Sequence, residues 1–543
     1  MRKPPAKPTG GPKDTIESIL IAFILAFVFR AFVVEAFVIP TGSMAPTLLG
    51  AHSRIRCDDC GYEFVVNVNS TSTADDSRPS ARGKNDTRDD LVIPDAVRYP
   101  TSPICPNCGR AVPGSGLKVH YGDRILVLKY MYLFQEPARW DTVVFKAPAE
   151  PWKYDYTLNY IKRLVGRPGE QIMLLDGDVY ARDASKPDAT YIVQTKPQAV
   201  QEGLWRIIYD NDYHPQKPRP EGETPWQQPW KTSDGKGWTL DGDGTERGRV
   251  FQFDNLTGSG RLTFDSAATP DANHLTEWLA YDQFAYRPTG IADPPDAVVT
   301  DLKLDLFYQR KSGDGPLRLG LTKRDRSFVA EISPTRVTLL ETTGGTSKEL
   351  AASSGSISSS KPVHVVFSNV DYQLTVRIDD QPVLKSTPAQ YAPDIDALLA
   401  DFKTLMRTPS RRNLTPLPVV TLEASGQQCN ITHLGLFRDI QYTNPEKGAG
   451  YGYWGHPRSE NLQIKLGKGE YFVLGDNSSI SGDARFWQTP IRLPNEELEV
   501  GAGIVPARFL LGKAFFVYWP AGFSPISGLP SIAPNFGAMR FIH

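Results

Sequence analysis

Hydrophobic and polar positions follow two different patterns along this chain. Near the N-terminus, a basic tail (1–14) precedes the apolar run Ile19–Phe29, and the apolar character resumes after Arg30. A helix of about 20 mostly apolar residues can cross the ~30 Å hydrocarbon core of a bilayer. The pattern therefore predicts a membrane-spanning helix at 15–38, with the basic tail on the cytoplasmic side and the rest of the chain outside.

A cleavable signal peptide is the alternative for this stretch, because Ile19–Phe29 is short enough to be its hydrophobic region. No A-x-A cleavage site follows the run, and Arg30 is a poor residue to precede one. A permanent anchor is therefore favoured.

From His120 onwards the pattern is typical of β-strands. Within Gln373–Ile378, apolar residues occupy every second position, as in a sheet with one buried face. The pair Asp176-Gly177 between two such segments predicts a hairpin turn. The 45 glycines, 45 prolines and 10% aromatic residues also suit many short strands. We expect a mainly β protein.

Changes in composition and in the pattern of apolar residues divide the chain into a domain with two insertions. The strands of 118–180 resume in 466–543, and the short segment 39–50 joins them to the N-terminal helix. Between these parts lie a cysteine-containing insertion at 51–117 and a long insertion at 181–465. The long insertion has many short strands with frequent turns, which predicts a β-sandwich.

Composition and motifs exclude several classes of function. Sixty basic and 61 acidic residues give a net charge of −1, so no global charge favours nucleic acid. No HExxH, G-x-S-x-G or Walker sequence is present. One G-x-G-x-x-G occurs at Gly450–Gly455, but no helical pattern follows it, which indicates an aromatic loop and not a dinucleotide site.

Four of the five cysteines form two C-x-x-C pairs, Cys57/Cys60 and Cys105/Cys108, each followed by glycine. Such pairs are typical of the two knuckles of a zinc ribbon, in which four thiolates hold one structural ion. Two disulfides are the alternative, since the exterior is oxidising, and a cluster with neither is a third. Cys429 is predicted to be a buried apolar residue.

Hydroxyl groups at Thr41 and Ser43 lie directly after the apolar segment, in "PTGSMAPT". A serine becomes a nucleophile when a base removes its proton. The eight histidines form no Ser/His/Asp signature, but a lysine can serve if burial keeps it neutral. Lys162, in the apolar strand pattern "LNYIKRLVG", has that setting. An ordinary solvated lysine is the alternative.

Four sequence blocks resemble, in the same order, those of type I signal peptidases. These blocks are "IPTGSMAPTL", "GDRILVLK" (Gly122–Lys129), "YIKRLVGRPGE" (Tyr160–Glu170) and "GDNSSISGDARFW" (Gly475–Trp487). Members of that family are membrane-bound Ser/Lys endopeptidases that remove signal peptides from exported proteins. The resemblance implies that fold and activity, without a catalytic cofactor.

The resemblance also implies residue roles, which follow in order: Ser43 as nucleophile, Lys162 as general base, Thr41 as an oxyanion-binding hydroxyl beside the Ser43 N–H, Ser481 as the hydroxyl that orients the lysine, and Asp483 with Arg485 as a supporting polar pair. The last block departs from the family, which usually has Arg-Asp-Asn where this chain has Ser478-Ser479-Ile480. That departure puts the supporting pair in doubt, and not the nucleophile.

The implied partners are the lipid bilayer and preproteins with small residues at positions −1 and −3 before the cut. The implied location is the bacterial cytoplasmic membrane, with a single pass, the N-terminus in the cytoplasm and the catalytic domain on the exoplasmic side. The inserted sandwich resembles laminin-G or concanavalin-like folds that bind glycans or proteins, although it could also be a spacer packed on the catalytic domain.

Two rival functions stay open at this point. A membrane-tethered binding protein could use the sandwich on a degenerate peptidase, as the altered block and the size of the insertion suggest. A soluble, self-cleaving Ser/Lys repressor is the other, and the predicted membrane helix and the lack of a DNA-binding segment count against it.

Overall fold

The structure, a computed structural model, describes most of the chain. The described residues are 12–68, 96–97, 99, 101–146, 159–186, 188–219, 225–233, 236–240, 249–269, 272, 274–284, 297–355, 357, 361–407, 415–443, 446–447, 450–451, 453–457, 459–492, 499–520 and 535–543. The polar stretch between the two cysteine pairs falls almost wholly outside them.

Helices are few, as predicted. The α-helices and the short 3-10 helices of the described residues are α1 (Pro12–Phe32), α2 (Met131–Phe134), α3 (Gln198–Leu204), α4 (Ile395–Arg407), and Ala280–Asp282, Glu460–Leu462, Ala484–Phe486, Ala507–Phe509 and Phe536–Ala538.

Strands make up most of the regular structure, and the mainly β fold is confirmed. In chain order they are β1 Val34–Val38, β2 His52–Arg56, β3 Glu63–Asn67, β4 Ala96–Val97, β5 Leu117–His120, β6 Arg124–Leu128, β7 Thr142–Lys146, β8 Asn159–Gly166, β9 Glu170–Leu175, β10 Asp178–Asp183, β11 Ile192–Val193, β12 Arg206–Asp210, β13 Trp230–Thr232, β14 Trp238–Thr239, β15 Phe251–Phe264, β16 Leu302–Gly313, β17 Leu317–Lys323, β18 Arg326–Ile332, β19 Arg336–Thr343, β20 Thr346–Ser354, β21 Val363–Val370, β22 Gln373–Ile378, β23 Gln381–Lys385, β24 Val420–Arg438, β25 Glu446–Lys447, β26 Gly450–Tyr451, β27 Ile464–Lys465, β28 Glu470–Leu474, β29 Ile491–Arg492, β30 Glu499–Val500, β31 Val505–Pro506, β32 Leu510–Trp519 and β33 Arg540–Phe541.

The predicted extent of the N-terminal helix was wrong at its C-terminal end. Helix α1 ends at Phe32, and Val34–Val38 forms β1, which pairs antiparallel with β6 from Val34 opposite Leu128 to Val38 opposite Arg124. Valine and phenylalanine favour strands, and β6 supplies the backbone partners that this segment would otherwise lack. In the described part of the chain, no helix combines the length and hydropathy needed to cross a membrane.

An antiparallel sheet built from distant parts of the chain carries the candidate chemistry. Its order is β1-β6-β32-β7-β8-β28-β31, with β33 added beside β32. Strand β8 lies between β7 and β28, so the lysine block and the last block are neighbours. A smaller sheet, β11-β10-β9-β27, adjoins it, and the two-residue Asp176-Gly177 turn joins β9 to β10 as predicted.

The long insertion forms a thirteen-stranded sheet among the described residues. Strand β24 spans 19 residues and pairs with β12, β15, β16 and β17 along its length. The predicted alternation is confirmed in β22, where Leu374 and Val376 are buried and Thr375 between them is partly exposed. The two-layer sandwich stays a prediction. Cys429 is buried, as expected.

Buried ion pairs lie both within this insertion and between the insertion and the domain that carries β8. Within the insertion, Lys196 Nζ lies 2.5 Å from Asp371 Oδ1 and 2.7 Å from Asp439 Oδ2, and all three side chains are nearly inaccessible. Lys323, on β17, reaches Asp178 of β10 at 3.4 Å. Buried charges persist in proteins when they are paired in this way. The insertion is therefore docked firmly and is not a loosely tethered appendage.

Candidate active site

Ser43 lies in a compact turn that follows β1. The Ala45 N–H donates to Gly42 O at 2.9 Å, and the Leu48 N–H donates to Met44 O at 2.9 Å. The side chains of Met44, Ala45 and Leu48 are fully buried, which anchors the turn on the sheet. The sequence pattern of small and apolar residues around one serine therefore fixes the position of its hydroxyl.

Lys162 approaches this hydroxyl from β8. Its Nζ lies 2.5 Å from Ser43 Oγ, although 119 residues separate the two positions in sequence. Both side chains are buried, with 3% of Lys162 and 5% of Ser43 exposed. The Tyr160 ring centroid lies 5.7 Å from Nζ, and Leu164 is fully buried two positions further along the strand. A buried amine at hydrogen-bond distance from a hydroxyl is the geometry that a lysine base requires.

The last sequence block, Gly475–Trp487, places Ser481 close to Ser43. A Cβ atom on Gly475 would lie 2.2 Å from Ser481 Oγ and 2.5 Å from Ser43 O. Such distances are far below a van der Waals contact, so only glycine fits between the two serines. Ser481 is fully buried, and its N–H donates to Asn477 O at 3.0 Å. The three positions therefore belong to one tightly closed site.

Asp483 and Arg485 form a fully buried ion pair next to Ser481. Asp483 Oδ2 lies 2.8 Å from Arg485 Nη2 and accepts from the Gly475 N–H at 2.9 Å. Burial raises the pKa of Asp483, but the neighbouring Arg485 outweighs this effect and holds that pKa below its ordinary value. Arg485 Nη2 also donates to Ser478 O at 2.7 Å. The segment that departs from the family pattern thus supplies a partner to this pair.

Thr41 lies in the same turn, half-buried, two residues before Ser43. A Cβ on Gly50 would lie 2.6 Å from the Thr41 carbonyl carbon, so the ends of the turn are in close contact. Its role at the oxyanion stays a prediction.

Sequence reasoning missed a second buried pair, formed by Arg163 and Asp476. Arg163 Nε and Nη2 donate to the two carboxylate oxygens of Asp476, each at 2.7 Å, and both side chains are almost wholly inaccessible. A bidentate pair of this kind fixes geometry as well as energy. It ties the strand that carries Lys162 to the block that carries Ser481. The adjacency of Arg163 to Lys162 is the signal that could have found it.

The four paired cysteines lie together in two turns that connect the strands of a separate small sheet, β3-β2-β5-β4. Cys57 Sγ lies 3.7 Å from Cys108 Sγ, and Cys60 Sγ lies 3.7 Å from Cys105 Sγ. All four sulfurs are within 4.8 Å of one another. Zn–S bonds of about 2.3 Å to the corners of a tetrahedron separate the sulfurs by about 3.8 Å. Disulfide sulfurs are about 2.05 Å apart, so these distances fit a metal site better.

The two cysteine pairs adopt equivalent turns. The Gly61 N–H donates to Cys57 O at 3.0 Å, and the Gly109 N–H donates to Cys105 O at 2.9 Å. Both glycines have positive φ, 81° and 71°, which only glycine adopts without strain. The glycine after each pair therefore has the structural role that the knuckle pattern predicts.

A second cluster of possible metal ligands, Asp178, Asp301 and Asp371, lies at the docking interface of the insertion. Lys323 contacts both Asp178 and Asp301. A lysine ammonium already balances this cluster, so we assign no metal to it.

The fold and the site define a mainly β protein in which a buried lysine lies at hydrogen-bond distance from a buried serine. The family described as signal peptidase, peptidase S26, matches residues 112–243 and 426–519. These segments include Lys162, Ser481, Asp483 and Arg485, whereas Ser43 precedes them. This match confirms the resemblance to type I signal peptidases that the sequence blocks indicated.

Curated relatives agree on the family but align over limited lengths. The signal peptidase I of Pseudomonas aeruginosa is 40% identical over 83 residues, covering 15% of this chain and 25% of the relative. That of Rickettsia typhi is 25% identical over 171 residues, covering 32% and 44%. Thylakoidal processing peptidase 1 of Arabidopsis thaliana is 30% identical over 99 residues, covering 17% and 29%. The chain thus spans less than half of the length of these relatives.

Solved structures resemble this protein only distantly. The exoplasmic/lumenal domain of VIP36 has a TM-score of 0.24 at 10% identity and covers 40% of this chain and 85% of its own. Carbohydrate-binding module CBM66 from Bacillus subtilis has a TM-score of 0.21 at 11% identity and covers 39% and 92%.

Proposed function

We propose that this protein is a membrane-bound endopeptidase that removes signal peptides from exported preproteins with a Ser43–Lys162 dyad. The observation that carries the proposal is the 2.5 Å separation of Nζ and Oγ between two buried side chains. The family match supports the substrate class, since its members are signal peptidases.

The chemistry follows from this geometry. Neutral Lys162 removes the hydroxyl proton as Ser43 Oγ attacks the carbonyl carbon that precedes the scissile bond. The negative charge that develops on the carbonyl oxygen is stabilised by the Ser43 N–H and the Thr41 hydroxyl. Protonated Lys162 then gives its proton to the leaving amine. Water, activated by the same lysine, hydrolyses the acyl-enzyme and regenerates the free serine.

We further propose that α1 holds the catalytic domain at the bacterial cytoplasmic membrane, with the catalytic domain on the exoplasmic side. Apolar side chains cover this helix and are 48% to 68% exposed, and they include Ile16, Ile19, Leu20, Ile21, Phe23, Ile24, Leu25, Phe27, Val28 and Phe32. So large an apolar surface needs a covering, and lipid supplies one. A signal peptide lies in the same membrane, so tethering raises the local concentration of substrate.

The cysteine cluster is proposed to bind a structural Zn²⁺ that holds the insertion in place. Asn107, between Cys105 and Cys108 in sequence, accepts from the Asp210 N–H at 2.8 Å. Asp59, in the other knuckle, accepts from the Gln216 N–H at 2.7 Å. Both knuckles therefore contact one segment of the insertion, and an ion that fixes their turns also fixes that segment.

Cleavage of a model preprotein by detergent-purified protein tests the dyad. Wild type is expected to cut, and Ser43→Ala and Lys162→Met are expected to lose all measurable activity, because each removes one half of the reacting pair. Lys465→Met, at an exposed lysine, and Ser347→Ala, at an exposed serine, are matched controls that should cut like wild type. Equal cutting by all variants would refute the dyad, and no cutting by wild type would favour the tethered binding protein.

A further inference from the structure

The 3-10 helix Ala280–Asp282 belongs to the long insertion, yet it lies against the turn that carries Ser43. A Cβ atom on Gly42 would lie 2.5 Å from Tyr281 Cε1, so the tyrosine ring contacts the turn directly. Tyr281 and Asp282 are both buried there. The insertion thus supplies part of the wall of the catalytic site.

Asn477 connects Asp282 to the nucleophile turn. Its Nδ2 donates to Asp282 Oδ2 at 2.8 Å and to Gly42 O at 3.1 Å, and its N–H donates to Ser43 O at 3.1 Å. Asn477 and Asp282 are fully buried. The amide of Asn477 therefore has both of its protons engaged, one by the turn and one by the insertion.

The Gly42 carbonyl, which accepts the hydrogen bond from Asn477, is directly connected to the nucleophile. It shares one planar peptide unit with the Ser43 N–H, the donor assigned above to the oxyanion. A hydrogen bond that fixes the direction of this C=O also fixes the direction of the N–H at the other end of the unit. Asp282 thereby acts, through Asn477, on the orientation of an oxyanion donor.

Two acceptors in this chain of contacts lack donors. Asp282 Oδ1 and Asn477 Oδ1 are buried and have no hydrogen-bond partner among the described residues. A proton on Asp282 supplies a donor that the group otherwise lacks. Burial, opposed only in part by the hydrogen bond from Asn477, raises the pKa of Asp282 to about 7.

Charged groups on the surrounding elements do not offset the effect of burial on the pKa of Asp282. Glu63, on β3, which packs against the 3-10 helix, is exposed. On the last block, Asp476 is neutralised by Arg163. Lys162, on β8, is hydrogen-bonded to Ser43 of the nucleophile turn.

We propose that Asp282 is a positioning residue contributed by the insertion, which orients the Gly42–Ser43 peptide for oxyanion binding through Asn477. The proposal rests on the proposed peptidase function. It assigns the insertion a part in catalysis that neither a separate binding module nor a spacer would have.

Steady-state cleavage by wild type, Asp282→Ala and Asp282→Asn tests it. The alanine variant loses the acceptor of Asn477 and is expected to lower kcat about ten-fold, the value of one hydrogen bond, with KM within two-fold, because the oxyanion forms only in the transition state. The asparagine variant keeps an acceptor of the same shape and is expected to restore kcat to within about three-fold of wild type.

The pH profile separates positioning from general destabilisation. Ionised Asp282 cannot donate, so the ratio of wild-type kcat to that of Asp282→Asn is expected to fall as pH rises through 7. Asp210→Asn is a control, since burial also raises the pKa of Asp210, to about 6, and its side chain accepts from the Asp212 N–H, away from the nucleophile turn. This control should change neither kcat nor the ratio through pH 7.

The outcomes are distinguishable. Cleavage by wild type with an unchanged kcat and a pH-independent ratio in the Asp282 variants would overturn the positioning role and leave the peptidase intact. A fall in kcat that merely follows a lower folded fraction, measured by circular dichroism, would overturn it as well. Failure of wild type to cut would refute the peptidase function itself.

Discussion

Replacing Asp282 by asparagine should change how stability depends on pH. An aspartate in an unfolded chain has a pKa of about 3.9, whereas burial raises the pKa of Asp282 in the folded protein to about 7. The folded state therefore favours the protonated carboxyl. The stability associated with the neutral acid is fully present below pH 4 and is lost as pH rises through 7.

The size of the effect follows from this difference in pKa. A difference of about 3 corresponds to about 4 kcal/mol in the free energy of unfolding, at 1.36 kcal/mol for each unit of pKa. About 2 to 3 kcal/mol of it falls between pH 5 and pH 8, since the unfolded aspartate is already ionised at pH 5. The Asp282→Asn variant cannot ionise and keeps a side chain of the same shape.

Denaturant unfolding at pH 5, 6, 7 and 8, followed by tryptophan fluorescence, measures the difference between wild type and Asp282→Asn. Comparing the two proteins at each pH removes the titration of all other groups. We expect the variant to gain about 2 to 3 kcal/mol on wild type over this range. A difference between the two proteins that is the same at pH 5 and pH 8 would show that Asp282 does not titrate there and would refute the reasoning.

Three further predictions concern the metal, a buried ion pair and the membrane. Chelation should lower the midpoint of thermal unfolding of wild type, measured by calorimetry, by several degrees. It should have no effect on Cys105→Ser, in which the metal site is already broken. An equal shift of the midpoint in both proteins would count against zinc. Arg163→Met leaves Asp476 buried without its cation and should cost about 3 to 5 kcal/mol in denaturant unfolding; addition of Asp476→Leu should recover part of this, and a neutral effect of the single variant would contradict the structural role. The full chain should float with phospholipid vesicles, and a chain lacking 12–32 should not; flotation of both would place the membrane contact elsewhere.

Local patterns predicted the parts of the site that each lie within one block. Ser43 was recognisable because it lies between small residues, and Lys162 because it lies among the apolar residues of a strand. The sheet then places Lys162 Nζ 2.5 Å from Ser43 Oγ. The hairpin at Asp176-Gly177 and the alternation in β22 were also predicted, because each depends on residues close in sequence. The end of α1 was not, because an apolar run does not indicate where a helix gives way to a strand that pairs with β6.

Contacts between distant segments could not be predicted in this way. Asp282 and Asn477 are 195 residues apart, and Asp282 lies on a three-residue 3-10 helix that has no periodic pattern. Lys196 and Lys323 resemble surface lysines in the sequence, because each has a carboxylate partner from a segment far away along the chain. Buried polar partners are specified by tertiary structure, which spacing along one chain does not record.

These missed contacts bear on the interpretation of the insertion. A binding module on a flexible linker would need no buried charges at its junction, yet Lys323 of the insertion pairs there with Asp178 of β10, and both side chains are almost wholly inaccessible. Removing one partner from such a pair costs about 3 to 5 kcal/mol, so the junction resists opening. The same rigid docking is what allows Asp282 to hold Asn477, because a positioning contact 2.8 Å long fails if its support moves by an ångström. Firm attachment and the contact with the nucleophile turn are therefore parts of one arrangement, in which the insertion contributes to the proposed catalytic site.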